Sequence, residues 1–263
     1  MARHVFSSLF VEFSTSVYFL AALFFVVALA YSSVGLGGGS SYTALLAIMG
    51  FSTLAIPLVS LTLNVVVTSI GSYQFLKYRH GKARLIFPFI LSSIPMAYLG
   101  GALQLPRFTF YMILLGSLIF VAARIYVWKT TRLKLALTSR QTLWVSLGAG
   151  SVLGLVAGIS GIGGGVYLIP LIIILGLGTE KEAAACGAIF VWVNSVAGLA
   201  SRLQFNSIDL TPFIPLIIAV IIGGWIGSNS GARKFSPQTM EKLLGLIILL
   251  AIILLGQKIF LRA

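Results

Sequence analysis

From Phe13 to Leu76 the chain carries no Asp, Glu, Lys or Arg across 64 consecutive residues. A helix crossing a hydrocarbon core about 30 Å thick needs about 20 apolar residues, so this one run holds more than two crossings. Further uncharged runs follow at Leu85–Pro106, Phe108–Ala123, Gln141–Thr179, Ala183–Ser201, Leu210–Ala232 and Leu243–Gln257. Soluble domains carry roughly 25% charged residues because a wet surface requires them. Here the charged fraction is 9% against 59% apolar, which excludes an ordinary soluble enzyme. Backbone groups in lipid must pair internally, and the runs lack the alternation of barrel strands. The expected fold class is therefore all-α integral membrane.

Gly, Pro and charge clusters divide the runs into ten segments. The first five cover about 17–34, 40–52, 54–76, 85–105 and 108–128, and the second five about 142–159, 165–178, 183–203, 210–231 and 241–260. The second and seventh are short enough to be half-helices or re-entrant pieces, giving eight to ten crossings. Arg3 before an apolar run with Ala28-Leu29-Ala30 could be read as a signal peptide. A retained helix is expected, because cleavage would remove the counterpart of segment six.

The chain repeats internally. Gly35-Leu36-Gly37-Gly38-Gly39 aligns with Gly161-Ile162-Gly163-Gly164-Gly165, 126 residues later. Asn64 and Asn194 correspond at an offset of 130, and each is followed ten residues on by Gln-Phe (Gln74-Phe75, Gln204-Phe205). Gly100 and Gly227 correspond at an offset of 127. The expected organisation is a first membrane repeat over 1–128, a basic connecting loop over 129–141 and a second membrane repeat over 142–263.

Eighteen Lys+Arg against five Asp+Glu give a net charge of +13. In a soluble protein that balance would suggest nucleic acid. Here the basic residues sit between apolar runs, where they orient a membrane protein. Lys77, Arg79, Lys82 and Arg84 follow segment three, whereas the equivalent loop after segment eight has Arg202. Arg107 follows segment four, whereas its counterpart has Arg233, Lys234 and Lys242. This swap is expected of halves with opposite orientation. Ten crossings place 13 Lys/Arg on one side and 5 on the other, with the termini opposite the basic side. Merging segment one with two, and six with seven, again gives 13 against 5 and moves the termini to the basic side.

Three consecutive glycines unwind a helix, whereas packing motifs space small residues four apart. Each run precedes a new apolar helix whose free N–H groups and positive dipole end bind anions without a charged side chain. Transporters with inverted repeats hold substrates at such junctions near the midplane. The candidate binding residues are Gly35, Gly37, Gly38, Gly39, Ser40, Ser41 and Asn64 in the first half. Gly161, Gly163, Gly164, Gly165, Asn194 and Ser195 are the candidates in the second. Tyr31, Tyr42 and Tyr167 stand near the runs, and Gln74 and Gln204 are expected nearer a membrane face, shaping an entrance.

Glu12, Glu180, Glu182, Asp209 and Glu241 all flank apolar runs, so no proton-relay carboxylate is visible at mid-depth. His4 and His80 have no metal-ligand partner in the sequence. The single Cys186 excludes an internal disulfide and reads as a packed core thiol. No catalytic set is present, so the expectation is a non-enzyme with no cofactor and no metal. A passive anion channel is the main rival, with an intramembrane enzyme or assembly factor behind it.

The paired motifs Gly35–Gly39 and Gly161–Gly165 resemble those of the TauE/SafE family, the sulfite exporter-like permeases. The similarity is most specific in Ala157-Gly158-Ile159-Ser160-Gly161-Ile162-Gly163-Gly164-Gly165 leading to Pro170-Leu171. It continues through Thr179-Glu180-Lys181-Glu182-Ala183 and Asn194-Ser195-Val196-Ala197-Gly198, and overall spans about Ala21 to Leu261. The first half departs from the pattern: Ala44 replaces the proline found at Pro170, and Ser40-Ser41-Tyr42-Thr43 is more polar. The resemblance implies a multi-pass protein of the cell (inner or plasma) membrane that moves sulfite, thiosulfate, a sulfonate or a related organosulfur anion. The expected partners are that small anion and membrane lipid, with no nucleic acid and a homo-oligomer left open.

Overall fold

The computed structural model describes residues 2–126, 138–205, 209–233 and 237–260. These residues form ten α-helices: α1 (Ala2–Ser33), α2 (Gly39–Ile48), α3 (Ala55–Lys77), α4 (Ala83–Ala102), α5 (Arg107–Tyr126), α6 (Ser139–Ser160), α7 (Gly165–Ile174), α8 (Glu180–Phe205), α9 (Ile214–Arg233) and α10 (Pro237–Phe260). A 3-10 turn, Thr211–Phe213, precedes α9. The ten expected segments are all present as helices. Most of the expected basic connecting loop, over 129–137, lies outside the described residues. Five helices (α3, α4, α6, α8 and α9) are long and apolar enough to cross a bilayer, and shorter apolar stretches lie in α1, α5, α7 and α10.

Local chemistry sets several helix starts earlier than hydropathy alone suggests. Thr138 and Gln141 form a capping box, so α6 begins at Ser139. Thr179 and Glu182 do the same for α8: the Thr179 N–H donates to Glu182 Oε2 at 2.8 Å, and the Glu182 N–H donates to Thr179 Oγ1 at 3.4 Å. Helices α2 and α7 have 10 residues each. At 1.5 Å per residue each is about 15 Å long, about half the hydrocarbon thickness.

Two glycine ladders join the halves. Gly150, Gly154 and Gly158 of α6 lie against the carbonyls of Phe89, Ser93 and Ala97 of α4. Gly223, Gly227 and Gly231 of α9 lie against the carbonyls of Phe25, Leu29 and Ser33 of α1. Both ladders advance four residues at a time, so α6 runs parallel to α4 and α9 parallel to α1. Small residues at this spacing let backbones approach in lipid, where dispersion and polar contacts replace the hydrophobic drive. Ala28 and Ala30 are fully buried within this packing, so α1 is an integral part of the bundle.

Polar contacts identify the two ends of the bundle. At one end Lys82 pairs with Glu182 across 2.8 Å. There the Ala232 carbonyl also lies 3.3 Å from both Lys181 Nζ and His80 Nε2. The α3–α4 loop, the start of α8 and the end of α9 are therefore together. At the other end the Tyr98 hydroxyl donates to Gln204 Oε1 at 2.8 Å, joining the end of α4 to that of α8. Merging the short segments would separate Lys82 from Glu182, so the contacts agree with the ten-segment arrangement. In it α2 and α7 turn the chain back.

Candidate functional site

Both helix breaks are built by glycine backbone that other residues adopt at a cost. Gly38 caps α2 at φ +96° and Gly164 caps α7 at φ +80°, in the left-handed region. Gly35, Gly161 and Gly163 also have positive φ. A helix leaves its first N–H groups without intrahelical partners. In α2 the first inward bonds come from Ser41 and Tyr42, whose N–H groups both reach the Gly38 carbonyl at 3.0 Å. The amides of Gly39 and Ser40 precede them at the positive end of the helix.

The breaks meet beside the middle of α3 and α8. Asn64, fully buried, donates from Nδ2 to the Gly161 carbonyl at 3.1 Å, so a first-half side chain holds the second-half break. Gly37 and Gly39 present their bare Cα faces to the same Asn64 amide. Gly39 also lies against the Ile162 carbonyl, so the two glycine runs touch directly. A Cβ on Gly163 would stand 3.2 Å from Asn64 Nδ2 and 3.3 Å from Ser195 Oγ. Asn64, Ser195, Gly37, Gly39, Gly161 and Gly163 are thus brought together, and close packing and helix unwinding are served by the same glycines.

The remaining candidates divide. Ser40 and Ser41 turn to Tyr31, whose hydroxyl lies 2.8 Å from each Oγ. Gly38 lies under the Tyr42 ring, Gly164 against Phe190, and Gly35 against the Ala184 carbonyl. Gly165 lies against Val191. Asn194 is not the working mirror of Asn64, because its Nδ2 donates at 2.9 Å to Phe190 O, one turn back on its own helix. The buried oxygens Asn64 Oδ1, Asn194 Oδ1 and Ser195 Oγ have no partner among the described residues. Gln74, expected near a membrane face, is buried, whereas Gln204 is exposed.

Four contributors escape sequence reasoning. Ser60 Oγ reaches the Gly161 carbonyl at 3.0 Å and the Gly39 carbonyl at 3.3 Å, and accepts from Thr43 Oγ1 at 2.9 Å. With one proton to give to two carbonyls from opposite halves, Ser60 is a hub between them. Thr43 Oγ1 also lies 2.6 Å from Gly39 O, so its single proton is shared between that carbonyl and Ser60 Oγ. Arg202, expected in a loop, is instead 4% exposed within α8. Its Nη2 donates to the Gly158 and Ile159 carbonyls at 2.9 and 2.8 Å, capping the end of α6 before its glycine run. Lys258 Nζ likewise reaches the Ala47 and Ile48 carbonyls at the end of α2, at 2.6 and 3.2 Å.

Comparison with known proteins finds a family and relatives named as membrane transporters. The family model described as Sulfite exporter TauE/SafE matches residues 20–255. A protein of Sinorhizobium fredii (strain NBRC 101917 / NGR234), named "Probable membrane transporter protein y4hK", is 37% identical over 238 residues, 88% of this chain and 95% of that protein. "Probable membrane transporter protein YunE" of Bacillus subtilis (strain 168) is 26% identical over 109 residues, 40% of this chain and 38% of that protein. No solved structure matches significantly. The chain belongs to the TauE/SafE family and is a multi-pass membrane protein of this transporter family.

Proposed function

We propose that this TauE/SafE member carries a small organosulfur anion, with sulfite, thiosulfate and sulfonates the leading class, through the junction of its two broken helices. The observation that carries this reading is the meeting of both glycine runs at Asn64, beside the start of α2. The buried Arg202 is engaged with the Gly158 and Ile159 carbonyls at the end of α6, while the start of α2 offers amides and neutral donors. Such groups stabilise an oxyanion without burying a fixed cation beside it, and they release it more readily than an ion pair would. The protein acts in this reading as a transporter and not as an enzyme.

The two repeats, 1–128 and 142–263, form opposed halves in this reading. Support comes from helix direction: α1 ends where α9 ends, near Lys181, whereas its equivalent α6 ends near Gly198 and Arg202. The cross-pairs α1 with α9 and α4 with α6 are equivalents of one another under the repeat. Rocking of one half against the other would expose the junction to each side in turn. The joint would be the Asn64 and Ser60 bonds to Gly161.

A binding screen tests the reading. Purified protein is titrated with sulfite, thiosulfate, methanesulfonate and acetate while thermal unfolding is followed. Saturable stabilisation by the sulfur oxyanions is expected, since a ligand of the folded state raises its stability by mass action. No stabilisation by any of them would overturn the proposal.

A further inference from the structure

We infer that recognition of the anion is one-sided: the start of α2, with the hydroxyls of Tyr31, Ser40, Ser41 and Tyr42, forms an oxyanion receptor that the start of α7 does not duplicate. This inference rests on the anion-transport reading and adds to it where the ligand is held and how many oxygens it presents.

The hydroxyl trio at the start of α2 has one proton more than its own bonds use. Tyr31, Ser40 and Ser41 are buried, and two hydrogen bonds of 2.8 Å join their three hydroxyls. Three hydroxyls carry three protons, and two of them make those bonds. No further hydrogen bond of these hydroxyls exists among the described residues, so one proton points to no protein acceptor. Buried donors left in this state are costly unless a ligand or water accepts from them.

Tyr42 stands apart from the trio and is fully buried, and its hydroxyl has no hydrogen-bond partner among the described residues. That hydroxyl lies at the cap of α2: a Cβ on Gly38 would stand 2.8 Å from Tyr42 Oη. The ring is held against Phe24 with centroids 4.7 Å apart, so the hydroxyl is positioned by packing. The unpaired phenol, the spare proton of the trio and the amides of Gly39 and Ser40 are all donors. Spare donors at the positive end of a helix favour an anion, because the helix dipole works against a cation at the same hydroxyl oxygens.

The second half lacks this set. At the repeat offset, Ala157 stands for Tyr31, Val166 for Ser40 and Leu168 for Tyr42. Tyr167 stands for Ser41; its ring turns to Phe120 of α5, with centroids 5.6 Å apart, and its hydroxyl faces Ser117 of the same helix. The break before α7 therefore offers backbone, the Ser195 hydroxyl beside Gly163 and a phenol turned toward α5, fewer hydroxyls than gather at the start of α2, and the polar run Ser40–Thr43 becomes the recognition element. The hydroxyl and amide donors at α2 outnumber the two oxygens of a carboxylate and suit a ligand with three or more terminal oxygens, such as a sulfonate or sulfite.

Titration calorimetry of the detergent-solubilised full chain with methanesulfonate and with acetate tests the inference, using the wild type, Tyr42→Phe and Tyr167→Phe. Tyr42→Phe keeps the ring contacts, and elution as a single species on size exclusion verifies its fold. A hydrogen bond to a charged group is worth about a tenfold to hundredfold change in affinity. The expected result is a loss of that size for methanesulfonate in Tyr42→Phe, a loss below about twofold in Tyr167→Phe, and a wild-type preference for methanesulfonate over acetate that shrinks in Tyr42→Phe. Wild-type binding that Tyr42→Phe leaves intact, or equal losses in the two variants, overturns one-sided recognition while leaving anion binding standing. Wild-type protein that binds neither anion overturns the transport reading and this inference together.

Discussion

Asn64 Nδ2 and the carbonyl of Gly161 lie 3.1 Å apart, joining the third helix of one half to the helix break of the other. Ser60, one turn earlier, donates to the same carbonyl. Replacing Asn64 with alanine removes a buried donor and exposes both glycine runs to repacking. The expected cost is about 1–3 kcal/mol of stability, with a larger fall in transport than in yield. Asn194→Ala loses only a bond within α8 and is expected to be milder. Thermal unfolding and proteoliposome uptake of both variants check the order; equal effects would contradict it.

The glycine ladders predict a sharp contrast between glycines of equal helix propensity. A side chain at Gly154 would strike the Ser93 carbonyl, and one at Gly227 the Leu29 carbonyl, whereas a methyl group added at Gly116 or Gly148 would meet nothing within 4 Å beyond its chain neighbours and its own helix backbone. Gly154→Val and Gly227→Val should each destabilise by about 1–3 kcal/mol or more through overpacking. Gly116→Ala and Gly148→Ala should be neutral or stabilising by up to about 1 kcal/mol. Fluorescence-detected size exclusion across a temperature series reads the difference.

Arg202 caps α6 by donating to the Gly158 and Ile159 carbonyls. Arg202→Met should loosen the break that follows, seen as faster amide hydrogen exchange over 159–165 and a lower unfolding temperature. Arg202→Lys retains a cation but not the planar fork and should fall between. Unchanged exchange in Arg202→Met would mean that the cap does not hold the break.

The Lys82–Glu182 pair places the α3–α4 loop and the start of α8 on one face. In a Cys186→Ser background, Lys82→Cys with Glu182→Cys should form a disulfide on mild oxidation. An impermeant thiol reagent should label Lys82→Cys and Arg233→Cys from the same side, and Arg107→Cys from the opposite side. Basic loops favour the cytoplasm, so the first two should be protected in intact cells. Labelling of Lys82→Cys and Arg233→Cys from opposite sides would contradict the arrangement.

The parts of this fold legible in the sequence are those fixed by local backbone chemistry. The positive φ values at Gly38 and Gly164 belong to glycine, so G-x-GGG announced both helix breaks. The length of apolar sequence before the next polar residues announced short α2 and α7. What escaped depends on direction in space. Asn64 and Asn194 share a repeat position, yet one reaches across to Gly161 and the other back to Phe190, a choice of side-chain rotamer that alignment does not carry. Arg202 ends an uncharged run and reads as a loop residue, but its side chain turns inward to carbonyls 43 and 44 positions away. Ser60 reads as one more small residue in an apolar helix until the second break arrives beside it.

Anions that cross at the junction by alternating access move in a saturable way. Uptake of labelled thiosulfate into proteoliposomes, measured over a wide concentration range with and without methanesulfonate, tests it most directly. The expected uptake saturates, is competed by methanesulfonate and falls in Asn64→Ala, which removes the bond to the Gly161 carbonyl that joins the two helix breaks. Uptake that rises linearly with concentration and is indifferent to the competitor would contradict it.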